Sequence, residues 1–170
     1  MLYEGGIRAP FIARWPGKIP PGSINDVQTT FVDVLPTIAE LIGVSVPAGA
    51  DGYSILPSLL GRERQVRPTP LYFEIYEPYF QQSVRLADWK GYRTGTQDAL
   101  ELYDLKADPG EANDVAEAHP DIIKEIEAIM TAEHTPSPHY TAPEHRRPAK
   151  AKRNKKRQTT SLKDLLDDKE

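Results

Sequence analysis

Residues 83–93, SVRLADWKGYR, decide the fold of the C-terminal half of this 170-residue chain. The run Ser83–Tyr92 shows the loose alternation of a half-buried β-strand with a turn inside it. Strand-like apolar runs flank it at Leu71–Tyr76 and Leu100–Leu105. Because sequential short strands with tight connections pair with their neighbours, the pattern predicts an antiparallel meander.

A helix is predicted to cover one face of this meander. It opens at Pro120, and Asp121 lies in its first turn, where the helix dipole favours a negative charge. Its apolar residues form one stripe: Ile122, Ile123, Ile126, Ile129 and Met130. Neither the stripe nor the sheet can bury its apolar side alone, so we expect them to pack together.

The N-terminal half alternates between apolar pieces and loops. Residues 7–15, IRAPFIARW, are apolar and partly β-branched, which predicts a strand. Apolar residues recur at helical spacing from Phe31 to Ile42, with Pro36 near the helix start and Gly43 at its stop. Residues 55–60 have room for one further turn of helix.

Composition excludes several classes of protein. The sequence has no Cys, which excludes disulfides, thiolate metal sites and a Cys nucleophile. It has no apolar run near ~18 residues, so no membrane span is predicted. The first residues, MLYEGGIRAPF, lack the basic-then-apolar layout of a secretory signal.

Charge is distributed unevenly, with eight of the 21 basic residues in one short run near the C-terminus. They are Arg146, Arg147, Lys150, Lys152, Arg153, Lys155, Lys156 and Arg157. The rest of the chain contains the other 13 basic residues and all 25 acidic residues, so it is acidic. Residues 135–170 are Pro-rich, then basic, and poor in large apolar groups, which predicts a disordered tail. A solvated tail, a polyanion tether and a localisation signal remain open for this run.

Five stretches, in this order, resemble the C-terminal half of the sulfatase family, which includes arylsulfatases and glycan sulfatases. They are LYEGGIRAPFIARWPGKI (2–19), FVDVLPTIAELIGV (31–44), DGYSILPSLLG (51–61), SVRLADWKGYR (83–93) and LELYDLKADPGEANDVA (100–116). Each stretch alone is weak, but five in the right order identify the chain as similar to this family, within the alkaline phosphatase-like superfamily.

The resemblance implies an α/β fold, of α+β character for this portion. Residues 1–70 would hold the last strand and helix of a sulfatase-type α/β core. Residues 71–134 would form a small antiparallel sheet packed on a C-terminal helix, and 135–170 the disordered basic tail. An unpaired sheet edge would favour self-association.

The same resemblance implies hydrolysis of aryl or carbohydrate sulfate monoesters. Such enzymes use a formylglycine, made from Cys or Ser in a [CS]-x-P-x-R motif, and a Ca²⁺ held by carboxylates. These 170 residues contain no Cys and no S-x-P-x-R, and the family's metal-binding Asp pair belongs to its N-terminal half. We therefore expect no catalytic or metal-binding residue and no bound cofactor here, and a chain that is inactive alone.

Candidate site residues lie in the EGG stretch. Glu4, Gly5, Gly6 and Arg8 are candidates to support the sulfate pocket from beneath, since glycine permits close backbone approach. The alternative is a tight turn into a strand, held by a Glu–Arg pair. Residues 108–114 are predicted to be a solvated turn and helix-capping region, and the four histidines lack metal-site spacing.

Two other functions stay open. One is a noncatalytic polyanion-binding or interaction protein derived from a sulfatase. The other is a phosphodiesterase or phosphonate hydrolase on the same scaffold. A sulfated small molecule or glycan would be the substrate in a sulfatase, and a polyanion would bind the basic run.

Deleting residues 145–170 tests the polyanion tether. The deletion removes eight clustered cations, so we expect weaker binding to heparin at low salt, with a shallower salt dependence, because fewer counterions are released. Heparin-affinity elution at several salt concentrations measures this. Equal elution of the full and shortened chains would contradict the tether.

Overall fold

The computed structural model describes residues 1–62, 67–76, 79–142 and 144. Among these residues, the helices are α1 (Glu4–Ile7), α2 (Val34–Ile42), α3 (Leu56–Leu59) and α4 (Pro120–Glu133), with 3-10 turns at Phe31–Asp33 and Ala116–Ala118. The strands are β1 (Leu71–Ile75), β2 (Gln81–Leu86), β3 (Trp89–Thr94) and β4 (Glu101–Asp104). No helix of this described part is long and apolar enough to cross a membrane.

The four strands form one antiparallel sheet in the order β1-β2-β3-β4, which confirms the predicted meander. The run expected as one strand with an internal turn is the β2–β3 hairpin, in which Leu86 pairs with Trp89. Ala87 turns the chain at φ 51°, a left-handed conformation. The side chains of Arg85 and Gln28 both donate to its carbonyl oxygen, at 2.7 and 3.0 Å, and hold the turn.

Helix α4 packs on one face of this sheet, as its apolar stripe predicts. Ile126 and Met130 are fully buried against Val84, Leu100 and Leu102. These strand residues share one face because side chains alternate along a strand and Val84, Gly91 and Leu102 lie side by side in the register. This interface is the apolar core of the C-terminal half.

The helix predicted in the N-terminal half is also confirmed. A 3-10 turn leads into α2, Pro36 lies in its first turn, and Gly43 ends it at φ 71°. The short turn expected at residues 55–60 is α3. Local signals, namely a capping residue, a proline at the start and a glycine at the end, suffice for these elements.

The strand predicted over residues 7–15 is wrong. The chain forms the short helix α1 and then continues without regular structure through residues 8–15. A strand is stabilised by hydrogen bonds to a neighbour, and none of the four strands in the described residues pairs with this segment. An apolar, β-branched composition is therefore not enough to form a strand over residues 7–15.

Helix α2 presents apolar side chains to solvent. Phe31, at its entry, is 92% exposed, and Ile38 and Ile42 are 49% and 64% exposed. Ile12 and Ile24 are also almost fully exposed. Scattered exposed apolar residues are common, but a contiguous helical face of them marks a surface that packs against something else.

Replacing Gly91 by Ala tests the α4 interface. An added Cβ would lie 2.6 Å from Cγ2 of Ile126 and 3.3 Å from Cδ2 of Leu100. Because the core is closely packed, we expect a loss of about 1–3 kcal/mol in the free energy of unfolding, measured by urea denaturation. Gly110→Ala is the matched control, because its new Cβ would approach only the Asp108 carboxylate, at 3.8 Å. Equal stability of the two variants would contradict the packing.

Candidate functional site

The EGG stretch begins on the face of the sheet that α4 leaves free. Leu2 is buried, and its backbone N–H donates to Oε1 of Gln81 at 3.3 Å. The hydroxyl of Tyr92 donates to the same oxygen at 3.1 Å. Because Gln81 and Tyr92 lie on neighbouring strands, this contact joins the start of the chain to the middle of the sheet.

Tyr3 makes the second contact with this face. Its ring lies 4.2 Å from that of Tyr92, and its hydroxyl donates to Oε2 of Glu101 at 2.6 Å. Tyr103 donates to the same carboxylate oxygen at 2.7 Å. Burial, followed by the hydrogen bond to the Glu101 carboxylate, raises the pKa of both tyrosines. Both phenols therefore stay protonated and remain donors through the physiological range.

Glu4 makes the third contact, and it is ionic. Its Oε1 lies 3.0 Å from Nζ of Lys90, whose side chain is fully buried, and its Oε2 lies 3.4 Å from Nη1 of Arg85. Oε1 of Glu111 lies 3.1 Å from the same Lys90 ammonium. The other Glu111 oxygen accepts the backbone N–H of Glu4 at 2.6 Å. The ammonium is thus held between two carboxylates.

Glu111 corrects part of the prediction for residues 108–114. Asp108 and Asp114 cap backbone N–H groups, as a capping region should. Glu111, however, adopts a left-handed backbone at φ 51° and its side chain is only 4% exposed. Its carboxylate belongs to an ion cluster with Glu4, Arg85 and Lys90, because the buried Lys90 ammonium requires compensating charge.

The remaining candidates of the EGG stretch, Gly5, Gly6 and Arg8, follow Glu4 along the chain. Gly6 passes close to Met1, and a Cβ there would lie 2.1 Å from the Met1 carbonyl oxygen. Gly5 is exposed with open space around it, and Arg8 is exposed. Among the described residues, Arg8 forms no ion pair, so the Glu–Arg pairing considered above is replaced by the contacts of Glu4 with Lys90 and Arg85. Their role as pocket support stays a prediction.

A second polar cluster lies on the face that α4 covers. Glu74, on β1, accepts hydrogen bonds from the hydroxyls of Tyr72 and Tyr76. At the end of α4, Nδ1 of His134 lies 2.8 Å from Oε2 of Glu74. Burial alone would raise the pKa of Glu74, but these hydrogen bonds and the charge of His134 lower it overall. The cluster links the C-terminal end of α4 to the edge strand.

Two of the three histidines in the described residues, His119 and His134, make side-chain contacts. His134 contacts Glu74, and the ring of His119 lies 4.7 Å from that of Trp89. Within the described ranges, no three His, Asp or Glu side chains are placed to hold a metal ion. The basic run at residues 146–157 and His145 lie outside the described residues.

Sequence reasoning missed one further buried charge, Asp33. It is fully buried and accepts from Nη1 of Arg67 at 2.7 Å, as well as from the backbone N–H groups of Thr30 and Tyr53. It therefore ties the entry of α2 to the loop before α3 and to the chain entering β1. An Asp at the end of a 3-10 turn carries no sequence signal for an arginine 34 positions later.

Comparison with known proteins points to one family. The sequence profile described as N-sulphoglucosamine sulphohydrolase, C-terminal, matches residues 1–135. An uncharacterized sulfatase of Schizosaccharomyces pombe is 35% identical over 74% of this chain and 24% of its own length. Human arylsulfatase A is 31% identical over 75% of this chain and 31% of its own length. The chain thus spans about a quarter to a third of these relatives.

Solved structures agree with the sequence comparison. One, from work on glycosaminoglycan metabolism by Bacteroides thetaiotaomicron, has a TM-score of 0.65 and 26% identity, over 76% of this chain and 29% of its own. Another was solved with its substrate D-glucosamine-2-N,6-O-disulfate and has a TM-score of 0.58 and 27% identity, over 70% of this chain and 26% of its own.

Replacing Glu74 by Gln tests the second cluster. Because its folded pKa is lowered, the carboxylate contributes stability above its unfolded pKa, and this contribution is lost as pH falls through the folded pKa. We expect the variant to be less stable by about 1–2 kcal/mol at pH 7, and the difference to shrink below about pH 4. Thermal melting across pH measures it, with exposed Glu125→Gln on α4 as control. A pH-independent difference would contradict the assignment.

Proposed function

The chain belongs to the sulfatase family, and on that premise we propose that it serves as the C-terminal portion of an enzyme that hydrolyses carbohydrate or aryl sulfate monoesters. In this function the chain does not supply the nucleophile. It supplies the segment Glu4-Gly5-Gly6 and Arg8 beneath the sulfate pocket, and the sheet and α4 that hold this segment in place.

The exposed apolar face of α2 carries this proposal. The chain spans about a quarter to a third of its curated relatives, and Phe31, Ile38 and Ile42 present apolar surface to solvent. A helix that is apolar on its outer face is stabilised when another element covers it. We infer that the rest of a sulfatase α/β core, in the same polypeptide or a second one, covers it.

The chemistry explains why that second part is required. Sulfate-ester cleavage requires a positioned nucleophile, electrostatic stabilisation of the sulfuryl oxygens and a proton for the leaving oxygen. The family resemblance implies formylglycine and Ca²⁺ for the first two. The described residues offer no metal site, and the sequence has no Cys and no S-x-P-x-R. Neither the formylglycine nor the Ca²⁺ fits the residues of this chain.

A carbohydrate sulfate is the substrate class that the relatives favour. The Bacteroides thetaiotaomicron relative named N-acetylgalactosamine-6-O-sulfatase is 30% identical over 75% of this chain and 27% of its own length. One solved structure similar to this chain holds D-glucosamine-2-N,6-O-disulfate as its substrate. Aryl sulfates remain within the proposal through the likeness to arylsulfatase A. A phosphodiesterase or phosphonate hydrolase on this scaffold is the alternative within the superfamily.

A noncatalytic polyanion-binding protein is the alternative outside it. The eight clustered basic residues 146–157 favour this function, although they lie outside the described residues. The two functions differ in whether the chain can complete an enzyme.

A chimera tests whether this chain can complete an active sulfatase. Residues 1–135 would replace the matching C-terminal segment of the N-acetylgalactosamine-6-O-sulfatase relative, and the rest of that relative would be kept. We expect the chimera to hydrolyse a 6-sulfated N-acetylgalactosamine substrate, measured as sulfate release. The relative truncated before that segment, and the 170-residue chain supplied with Ca²⁺, should both release none.

Two point variants of the chimera test the role of Arg8. Arg8→Gln alters an exposed candidate pocket residue, whereas Arg14→Gln alters an exposed neighbour outside the candidate set. We expect the first to reduce kcat/KM by about 10- to 100-fold, since a charged hydrogen bond to an anion contributes about 1.5–3 kcal/mol, and the second to have no effect. A soluble, folded chimera without activity would contradict the proposed function.

A further inference from the structure

We propose that Lys90 is a positioning residue for the Glu4-Gly5-Gly6 turn, through a buried charge cluster on the face of the sheet opposite α4. The inference rests on the proposed function only for the role of that turn beneath the sulfate pocket. The positioning itself follows from contacts within this chain. Nothing in the EGG stretch reveals it, because the lysine lies 86 residues further along.

The strand register places the cluster on one face. Lys90 on β3 pairs laterally with Arg85 on β2 and with Tyr103 on β4. All three contact residues 3–4, through two ion pairs to Glu4 and a ring contact of Tyr103 with Tyr3 at 6.2 Å. The adjacent register position, Val84–Gly91–Leu102, faces α4 instead. One strand position therefore separates the helix interface from the turn interface.

The Lys90 ammonium is the only charge in this cluster that is fully buried among the described contacts. Its side chain has no exposure, whereas Arg85 is 20% exposed at the side chain. Lys90 pairs with two carboxylates at once, those of Glu4 and Glu111, at 3.0 and 3.1 Å, and Arg85 supplies the second positive charge of the cluster. Glu111 in turn accepts the backbone N–H of Glu4. The ammonium thus fixes both the side chain and the backbone of Glu4.

Removing the ammonium should release the turn and leave the sheet folded. Without Lys90, the carboxylates of Glu4 and Glu111 lie close together with only Arg85, 3.4 Å from Glu4, to offset their charge, and their repulsion is strong where water has little access. Glu4 can relieve this repulsion by moving into solvent with residues 5–8, because Gly5 is already exposed and unobstructed. The apolar core between α4 and the sheet is not part of that rearrangement.

Hydrogen exchange followed by mass spectrometry tests the inference on the 170-residue chain. We expect Lys90→Met to speed amide exchange in the peptide covering residues 2–8 by about 10-fold or more, because breaking a buried ion pair is strongly destabilising. Peptides from β2 and α4 should keep their wild-type rates. A merely structural lysine would speed exchange in all three regions together.

Two variants make the result specific to charge. In Lys90→Met/Glu111→Gln, the repulsion is removed and the amide can still accept the Glu4 N–H, so exchange of residues 2–8 should return toward the wild-type rate. Lys106→Met, at an exposed lysine after β4, is the control and should change nothing. Unchanged exchange of residues 2–8 in folded Lys90→Met, or no rescue by the second substitution, would overturn the inference.

A third variant covers the case in which Lys90→Met does not fold. Glu4→Gln removes the charge from the turn side and keeps the pair between Lys90 on β3 and Glu111 in the loop after β4. It should also speed exchange of residues 2–8 selectively, and slow exchange in this folded variant would overturn the inference. No turnover is measured, so an inactive chimera would count against the proposed function and leave this result unaffected.

Discussion

A buried ammonium held between two carboxylates is the constraint on which the arrangement of this chain depends. Lys90 has no access to solvent, so its charge must be compensated inside the protein. The compensating groups come from opposite directions along the chain, Glu4 from the first turn and Glu111 from the loop after β4. Meeting this electrostatic requirement brings the start of the chain and the loop after β4 onto one sheet face.

The sheet is therefore a connector with two different faces. One face takes α4 through an apolar core, with Ile126 against Gly91 and Val84, and carries the Glu74 cluster at its β1 edge. The other is polar and takes residues 2–4, through Gln81, Lys90 and Glu101 in successive strands. Because side chains alternate with a period of two, a slip of one residue in the register would exchange these faces and destroy both interfaces. The hydrophobic core and the ion cluster thus specify the same register.

Sequence reasoning succeeded where structure is determined locally. The apolar stripe of α4, the glycine that ends α2 and the alternation of the strands each lie within a short window, and each prediction is confirmed. It failed over residues 7–15, where a strand requires a partner that the composition of the segment cannot reveal. It also missed Lys90 and Asp33, whose partners lie tens of residues away. The one available signal was a lysine within the apolar stretch Trp89–Tyr92, where a charge is costly unless paired.

Some interfaces of this chain are formed by its own residues, whereas the apolar face of α2 is left uncovered. The α4 interface has a closed core, and residues 2–4 are held by contacts to three strands, β2, β3 and β4. Helix α2, in contrast, keeps its apolar face exposed. Within the proposed function, the completed side acts as a rigid reference that sets the orientation of Glu4-Gly5-Gly6, and the open side is where the catalytic part packs. A sheet that holds no reactive group would then still influence the reaction, because a small displacement of a pocket wall weakens the alignment on which sulfate transfer depends.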